Sequence, residues 1–250
     1  MNLRLKDRVV IVTGGARNLG KAIVLGFLCE GAKVITTDRP AVVAEEHFFD
    51  DIPDKVKHNV RLLNLDISTD VGCRRLCDEA LNEFGSVDVL VNSAAVHLSQ
   101  PPEAITDDDF DAVFHNTLRS TIYMTRAVFP IMRKTGKGRV LNISSAVVHT
   151  GNPNEILYSC AKAGIEASTR AFARLGAPNG ITVNAIAPHL IMTGMALETL
   201  AQDPTIPSRI PLGRSGKIDE LVSLVLYCSS EVSEYLTGQV IPLNGGRLMQ

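Results

Sequence analysis

Short apolar runs alternate with longer segments of helical periodicity from one end of the chain to the other. The first run, RVVIVT at 8–13, has the uninterrupted apolar character of a strand that is buried on both faces. The segment from Leu19 to Cys29 carries apolar residues at helical spacing, and Gly31 ends it. The same alternation predicts further strands at 32–38, 60–66, 87–92, 138–144, 181–187 and 238–243. It predicts further helices at 69–84, 107–132, 157–175 and 217–228.

The order of these elements predicts the fold class. Because strands that alternate with helices imply right-handed crossovers, we expect an α/β fold of the Rossmann type: a doubly wound parallel β-sheet of about seven strands with helices on both faces. No low-complexity linker or internal repeat divides the chain, so we expect a single dinucleotide-binding and catalytic domain spanning 1–250. One irregular stretch, 189–212, contains three prolines and several apolar residues. We predict that it is a flexible flap over the substrate.

Composition narrows the function classes. The formal net charge is −2 at pH 7, and without a basic patch we expect binding to neither nucleic acid nor a membrane surface. No apolar run reaches the length that spans a bilayer, and the N-terminal segment lacks the pattern of a signal peptide, so we expect a cytoplasmic protein. The five cysteines are scattered and odd in number, which argues against a disulfide framework. Cys73 and Cys77 lie four apart on a predicted helix, yet no further ligand stands nearby, so we expect no metal site.

A glycine-rich loop, TGGARNLG at 13–20, joins the first predicted strand to the first predicted helix. Glycines allow the backbone to approach a pyrophosphate, and a helix N-terminus supplies amide donors and a positive dipole. The spacing differs from GxGxxG, because Asn18 stands between Gly14 and Gly20. Alone, such a loop could also serve only to reverse the chain direction.

The end of the second predicted strand bears on the choice of cofactor. There Asp38 could accept hydrogen bonds from the ribose hydroxyls of NAD and would repel a 2′-phosphate. Arg17 indicates the opposite choice, because a guanidinium can pair with the 2′-phosphate of NADP. Arg39 could stack on adenine or meet a phosphate. Because Asp38 opposes the phosphate directly, we expect NAD, with NADP as the alternative.

Candidate chemistry lies in the segment YSCAK at 158–162. Tyr158 and Lys162 are four residues apart, so a helix places the phenol and the ammonium one turn apart on the same face. A nearby ammonium can lower the pKa of a phenol, which would make Tyr158 an acid or base usable near neutral pH. Ser145 ends the fifth predicted strand, at the edge of a parallel sheet where such folds bind ligands. A lone Tyr-x-x-x-Lys is common on ordinary helix surfaces, so its surroundings decide its meaning.

Further segments extend this pattern in order along the whole chain. They are TGGARNLG at 13–20, Asp66-Ile67, LVNSAA at 90–95, Asn116, NISS at 142–145, YSCAK at 158–162, NAIAP at 184–188, Thr193 and Asn244-Gly245-Gly246. In this order and spacing the chain resembles the short-chain dehydrogenase/reductase family, in its single-domain form of roughly this length. Four positions depart from the family pattern: Asn18, Ser93, Ala95 and His189. Asparagine tolerates a left-handed backbone, so we expect the turn at Asn18 to survive.

The resemblance implies a role for each matching residue. Tyr158 would be the general acid/base, and Ser145 would hold the substrate oxygen and stabilise developing charge. Lys162 would bind the nicotinamide ribose and tune Tyr158, and Asn116 would position the water of a proton relay. Those four are the expected catalytic residues.

The implied cofactor-binding residues form a larger set. They are Gly14, Arg17, Asn18, Leu19, Gly20, Asp38, Arg39, Asp66, Ile67, Asn92, Ala94, Tyr158, Lys162, Pro188, Ile191 and Thr193. Within this set, Asp66 would face the adenine of the cofactor, and Asn92 and Ala94 would line the ribose. Ile191 and Thr193 would bind the carboxamide of the nicotinamide. The cofactor itself would supply the hydride.

Substrate contacts are predicted for residues that follow the family's segments or lie in the flap. These are His97, Val147, His149, Glu155, His189 and Met195. The three histidines together could bind an anion or a metal. We favour separate positions at the pocket edge, because nothing in the sequence makes them converge. The apolar neighbours favour a partly apolar substrate over a sugar phosphate.

Three functions are consistent with these residues. The first is an oxidoreductase that transfers a hydride between a nicotinamide cofactor and a secondary alcohol or ketone. The second, suggested by Arg17, is an NADPH-dependent 3-oxoacyl thioester reductase. The third is a non-catalytic dinucleotide-binding sensor, which would have no need of all four catalytic residues. The resemblance also implies a homo-oligomer, a tetramer or a dimer.

Overall fold

The computed structural model describes residues 2–39, 48–193, 196–197, 200–201 and 203–249. Seven parallel strands form one sheet in the order β3-β2-β1-β4-β5-β6-β7. The strands are β1 (Val9–Thr13), β2 (Lys33–Asp38), β3 (Val60–Asn64), β4 (Val89–Asn92), β5 (Gly138–Ile143), β6 (Ile181–Pro188) and β7 (Val240–Leu243). The predicted Rossmann-type fold class is confirmed.

Helices connect these strands along the chain. They are α1 (Asn18–Cys29), α2 (Asp54–Lys57), α3 (Asp70–Phe84), α4 (Asp107–Val113), α5 (Ser120–Thr135), α6 (Val147–Thr150), α7 (Ile156–Gly176) and α8 (Ile218–Cys228). Thr106 caps α4 in a reciprocal capping box with Asp109, which explains why the acidic run of 107–109 begins a helix there.

Hydrophobic cores lie on both faces of the sheet. In β1, Val10 and Val12 belong to the core that also contains the buried residues of α1 and α8. Ile11, between them, belongs to the opposite core, with the buried residues of α3 and α5. Because successive side chains of a strand point to opposite faces, a strand covered on both sides needs apolar residues at every position. This explains the uninterrupted apolar run from which β1 is predicted.

The predicted helix at 107–132 is not continuous. A π-helical turn, Phe114–Arg119, separates α4 from α5, and α5 extends to Thr135. Such a turn inserts an extra residue into the helix and is frequent at functional sites. Asn116 lies within it, and its Nδ2 donates a hydrogen bond to the Ala112 carbonyl at 2.7 Å. Asn116, the one expected catalytic residue of the predicted helix, therefore lies where the backbone is π-helical instead of α-helical.

The five cysteines of the described part of the chain are free thiols, three of them buried and two exposed. Cys73 and Cys77 are buried on α3, and burial raises the pKa of each thiol to about 12. Among the described residues, no group of three or more His, Cys, Asp or Glu side chains could hold a metal ion. A search of the same residues finds no helix with the length and apolar character needed to cross a membrane.

Candidate active site

The order of the strands creates a crevice between β1 and β4. These neighbours lead to connections on opposite sides of the sheet, and such a switch point is where doubly wound sheets bind ligands. Thr13, the last residue of β1, joins the two strand ends: its Oγ1 accepts hydrogen bonds from the amides of Ser93 and Ala94, each at 3.1 Å. The glycine loop and the segment after β4 are thus fixed to each other.

Two glycines of the loop cannot be replaced without moving the backbone. Gly14 has a φ of +69°, and a Cβ there would lie 2.8 Å from the Cα of Ala94. A Cβ on Gly20 would clash with the carbonyl oxygen of Gly14. The loop is therefore packed as closely as glycine permits, which leaves its backbone bare of side chains at the start of α1.

The N-terminus of α1 has the properties of an anion site. Asn18 has a φ of +48°, so the expectation that asparagine tolerates the left-handed backbone here is confirmed. Arg17 occupies the N-cap position without a side-chain capping bond, and the first turn holds no acidic residue. The first amides of the helix and its dipole are thus available for a pyrophosphate. On these grounds the residues present fit a dinucleotide cofactor.

Two acidic residues stand at the ends of the strands that would face the adenosine half. Asp38 ends β2, and its Oδ1 accepts a hydrogen bond from the backbone amide of Arg39 at 2.9 Å. Asp66 follows β3, and its Oδ1 accepts one from the amide of Ser68, also at 2.9 Å. Ile67, beside it, is buried. Both carboxylates are therefore oriented by the backbone and lie at the carboxyl edge of the sheet.

Asn92 differs from the expectation that it lines the ribose. Its side chain is buried, and its Nδ2 donates to Thr125 Oγ1 at 3.1 Å and to Asn142 Oδ1 at 2.8 Å. Asn142 in turn donates to Thr169 Oγ1 at 2.8 Å. The side chain thus belongs to an interior ladder of polar groups that links α5, β4, β5 and α7. Any contact of Asn92 with a ribose would fall to its backbone. The Ala94 amide donates a hydrogen bond to Thr13 Oγ1, and the contact of Ala94 with the ribose stays a prediction.

The segment after β6 closes the crevice from the opposite side. The Pro188 carbonyl accepts a hydrogen bond from the Ala146 amide at 2.9 Å, next to Ser145. Ile191 is buried and forms a β-bridge with Gly216. Thr193 is half-buried near the limit of the described residues, and Met195 lies outside them. The flexible flap proposed for 189–212 stays a prediction.

Tyr158 and Ser145 meet at the carboxyl edge of the sheet. Ser145 follows β5, Tyr158 lies in the first turn of α7, and the Ser145 side chain faces the Tyr158 hydroxyl closely enough to influence it. Burial raises the pKa of Tyr158 above its usual value of 10.0, the negative charge of Glu155 raises it further, and the Ser145 side chain lowers it. The phenol is therefore protonated at neutral pH.

Lys162 lies one turn beyond Tyr158 and is buried. Its Nζ lies 5.4 Å from the centroid of the Tyr158 ring and donates a hydrogen bond to the Ile143 carbonyl at 2.6 Å. Burial lowers the pKa of the lysine from 10.5 to about 7. Burial disfavours the charged form of each group, so it raises the pKa of Tyr158 and lowers that of Lys162.

A buried carboxylate that the sequence analysis missed lies behind these groups. Glu166 stands four residues after Lys162 on α7 and is 4% exposed. Its Oε1 accepts a hydrogen bond from Ser144 Oγ at 2.8 Å, and its Oε2 lies 3.4 Å from His149 Nε2. Glu166 therefore ties the end of β5, which carries Ser145, to the helix that carries Tyr158. The spacing of four from Lys162 was the only signal for it in the sequence.

The three candidate histidines have separate partners among the described residues. The His97 ring packs edge-on against the Tyr158 ring, with the centroids 4.9 Å apart, whereas His149 pairs with Glu166. The His189 amide donates to the Leu243 carbonyl at 3.0 Å, toward β7. Of the three, only His97 is seen to contact the Tyr158 ring.

His189 borders a cavity of about 100 Å³. Its other lining residues are Leu190, Ile210, Leu212, Arg214, Gly216, Glu220, Leu243, Asn244 and Gly245. The buried Nε2 of His189 has no hydrogen-bond partner in the described chain, and burial, followed by the charge of Arg247, lowers the pKa of the imidazole. His189 is therefore a neutral polar group at the edge of a mostly apolar cavity.

The remaining substrate candidates lie around Tyr158. Val147 is buried at the start of α6, directly after the Ser145 segment. Glu155 occupies the N-cap position of α7, where its Oε1 accepts a hydrogen bond from Asn152 Nδ2 at 2.7 Å.

Comparison with known proteins decides the family. A family model described as Enoyl-(Acyl carrier protein) reductase matches residues 14–247. The chain is 34% identical over 252 residues to the 3-oxoacyl-[acyl-carrier-protein] reductase FabG of Thermotoga maritima, covering 98% of this chain and 99% of that protein. The chain belongs to the short-chain dehydrogenase/reductase family. It is an oxidoreductase of that family.

Other members of the short-chain dehydrogenase/reductase family match over nearly the same length. The chain is 35% identical over 251 residues to the FabG of Pseudomonas aeruginosa, covering 99% of this chain and 100% of that protein. It is 34% identical over 244 residues to an acetoacetyl-CoA reductase of Shinella zoogloeoides, covering 96% and 98%. Among solved structures, the crystal structure of gox2181 matches with a TM-score of 0.91 at 28% identity, covering 98% of this chain and 97% of that one.

Proposed function

We propose that this oxidoreductase interconverts a secondary alcohol and a ketone, with Tyr158 as the proton donor and acceptor. The observation that carries the proposal is the cluster at the carboxyl edge of the sheet. There the Ser145 side chain faces the Tyr158 hydroxyl, and Lys162 Nζ lies 5.4 Å from the centroid of the Tyr158 ring. The glycine loop that fits a dinucleotide lies at the same edge, so a hydride and a proton can be delivered to one carbonyl group.

Tyr158 and Ser145 have distinct roles in the proposed reaction. When bound, the nicotinamide cofactor supplies or accepts the hydride. In the direction of reduction, the Tyr158 hydroxyl donates its proton to the carbonyl oxygen, and the Ser145 hydroxyl donates a hydrogen bond to the same oxygen. In the direction of oxidation, Tyr158 takes the proton of the alcohol. A protonated phenol at neutral pH suits the first role without prior ionisation.

Two further residues support the proton transfer. The Lys162 ammonium is close enough to favour the phenolate that forms when Tyr158 gives up its proton. We assign Asn116 to the positioning of a water that returns a proton to this pair, which the π-helical turn at Phe114–Arg119 supports by altering the backbone around it. The presence of all four groups argues against a non-catalytic sensor.

The cofactor would lie across the crevice from the β2 end to the β6 end. We assign its phosphates to Gly14, Asn18, Leu19 and Gly20, and its adenosine half to Asp38, Asp66 and Ile67. The nicotinamide half would meet Ala94, Tyr158, Lys162, Pro188, Ile191 and Thr193. These assignments follow the position of each residue at the carboxyl edge of the sheet.

NAD is the proposed cofactor. The Asp38 carboxylate is held at the end of β2 by the Arg39 amide, where it accepts ribose hydroxyls and repels a 2′-phosphate. Arg17 is exposed, and no side-chain hydrogen bond or ion pair within the described chain occupies its guanidinium, which supports NADP as the alternative.

The ratio of kcat/KM for the two cofactors tests this choice. We expect wild type to prefer NADH and Asp38→Ala to lose that preference. Arg17→Ala is the matched control and should reduce use of NADPH alone. A wild type that prefers NADPH and loses this preference in Arg17→Ala would reverse the assignment.

A 3-oxoacyl thioester is the second candidate substrate. Its support is the set of relatives named as 3-oxoacyl-[acyl-carrier-protein] reductases and as an acetoacetyl-CoA reductase, which match nearly the full length of both chains. The homotetramer and the cytoplasmic location remain predictions.

A substrate panel followed by nicotinamide absorbance distinguishes the candidates. The panel pairs simple secondary ketones with acetoacetyl-CoA, each with NADH and with NADPH. A kcat/KM that is higher by ten-fold or more for acetoacetyl-CoA favours the thioester reductase. A preference for simple ketones favours the alcohol dehydrogenase. No turnover with any member would contradict both.

A further inference from the structure

Two titratable side chains outside the four catalytic positions form a pair beside Tyr158. His97 lies on the segment after β4, and its ring meets the Tyr158 ring edge-on, with the ring planes at 84°. The His97 Nε2 atom lies 3.5 Å from Glu155 Oε2. The His97 side chain is 23% exposed and that of Glu155 is 18% exposed, so water screens the pair only partly. A charge on either group therefore acts on the phenol.

The surrounding backbone holds the pair in place. Asn152 Nδ2 donates a hydrogen bond to Glu155 Oε1 at 2.7 Å, which leaves Oε2 to face His97. The Gln100 amide donates to the Asn154 carbonyl at 2.8 Å, so the segment that carries His97 is tied to the loop that carries Glu155. The arrangement is thus built into the fold.

We propose that His97 and Glu155 form a positioning pair for Tyr158. The imidazole edge fixes the phenol ring, and the proton on the imidazole decides how much of the Glu155 charge the hydroxyl experiences. The inference rests on the proposed function, in which Tyr158 exchanges a proton with the substrate. While His97 is neutral, the carboxylate opposes loss of the phenol proton, and it contributes to the raised pKa of Tyr158. A protonated His97 balances the carboxylate, so the hydroxyl becomes a stronger proton donor.

Other charged groups on the neighbouring elements do not replace this partner. They are Lys162 and Glu166 on α7, His149 on α6, Asp109 and Asp111 on α4, and His115 in the π-helical turn. Lys162 donates to the Ile143 carbonyl, His149 pairs with Glu166, and His115 pairs with Asp111. Within the described residues, Glu155 is the only carboxylate in ion-pair distance of His97.

Fluorine NMR of the full chain labelled with 3-fluorotyrosine tests the coupling without turnover. Tyr158→Phe identifies the Tyr158 resonance. We expect that resonance to move as the pH is lowered from about 8 to about 5. His97→Phe, which keeps an aromatic edge but cannot carry charge, should abolish the movement. His58→Gln, at an exposed histidine elsewhere, should leave it unchanged. A resonance that moves equally in His97→Phe would overturn the proposal.

Kinetics supply the second measurement. In reduction, kcat/KM of wild type should rise about three-fold as the pH falls through the same range, because the proton donor becomes stronger. His97→Phe should show no such rise, and His97→Ala should also lose kcat at every pH because the ring contact is gone. A purely structural role would lower rates without changing the pH profile. If no substrate turns over but the NMR coupling is present, the proposed function fails while the pair stands.

Discussion

Replacing Lys162 with methionine should make the protein more stable while it removes activity. Methionine has a similar length and no charge, so it fills the same buried space on α7. The lysine is 2% exposed, and burial lowers its pKa from 10.5 to about 7. At about 1.4 kcal/mol per pKa unit, keeping this group in the folded chain at neutral pH costs about 4 kcal/mol. The hydrogen bond from Nζ to the Ile143 carbonyl recovers about 2 kcal/mol of this.

The net expectation is a gain of about 2 kcal/mol in the free energy of unfolding of Lys162→Met at pH 7. The pH dependence gives a sharper signature. The folded pKa of Lys162 lies below its unfolded value, so between about pH 7 and 10.5 the unfolded chain binds more protons. Wild type should therefore gain stability relative to Lys162→Met as the pH rises through that window. Below pH 7 the cost of the buried lysine is present in full. The buried thiols of Cys73, Cys77 and Cys228, whose pKa values are raised from 9.0, destabilise both proteins equally at the upper end and cancel in the comparison.

Urea unfolding followed by circular dichroism, at pH 7 and at pH 9.5, measures both effects. Lys137→Met, at an exposed lysine, controls for the loss of one positive charge. The pKa of Tyr158 is raised from its ordinary value of 10.0. Its ionisation therefore affects the free energy of unfolding only above that pH, and not between the two pH values measured. A Lys162→Met variant that is less stable than wild type at pH 7, or that keeps the wild-type dependence on pH, would show that the buried Lys162 charge does not destabilise the folded chain.

Two further predictions concern the glycine loop and the interior ladder. Gly20→Ala should reduce cofactor affinity at least ten-fold in a fluorescence titration, because its Cβ would displace the Gly14 carbonyl; unchanged affinity would show that the loop does not hold the cofactor. Asn92→Ala should lower the free energy of unfolding by about 2–3 kcal/mol, because it leaves the buried Asn142 Oδ1 and Thr125 without the donor they share. Stability equal to wild type in urea would contradict that role for the ladder.

The elements of the fold are well determined by local sequence. Every predicted strand overlaps an observed one, with ends that differ by at most two residues. A strand covered on both faces must be apolar at each position, so β1 is visible from its composition alone. The left-handed backbone at Asn18 is also readable, because few residues other than glycine tolerate it. The π-helical turn at 114–119 is not, because its residues have the same periodicity as the α-helices around it.

The parts of the site that depend on tertiary contacts could not be predicted. The contact of His97 with Tyr158 joins the irregular segment after β4 to α7, which lie far apart in the sequence. The direction of the Asn92 side chain depends on Asn142, which lies on the neighbouring strand. The lowered pKa of Lys162 results from burial of its side chain. The spacing of a Tyr-x-x-x-Lys motif does not predict how deeply the lysine is buried.

Tyr158→Phe is the direct test of whether the Tyr158 hydroxyl transfers the proton in the reaction. The variant removes only the hydroxyl, and Tyr235→Phe, at a fully exposed tyrosine, is the matched control. Ketone-dependent oxidation of the reduced cofactor is measured beside the dissociation constant of that cofactor. The account predicts that kcat of Tyr158→Phe falls at least 100-fold, as expected for loss of a general acid, while cofactor affinity stays within a few-fold of wild type. Turnover at the wild-type rate in Tyr158→Phe would contradict it.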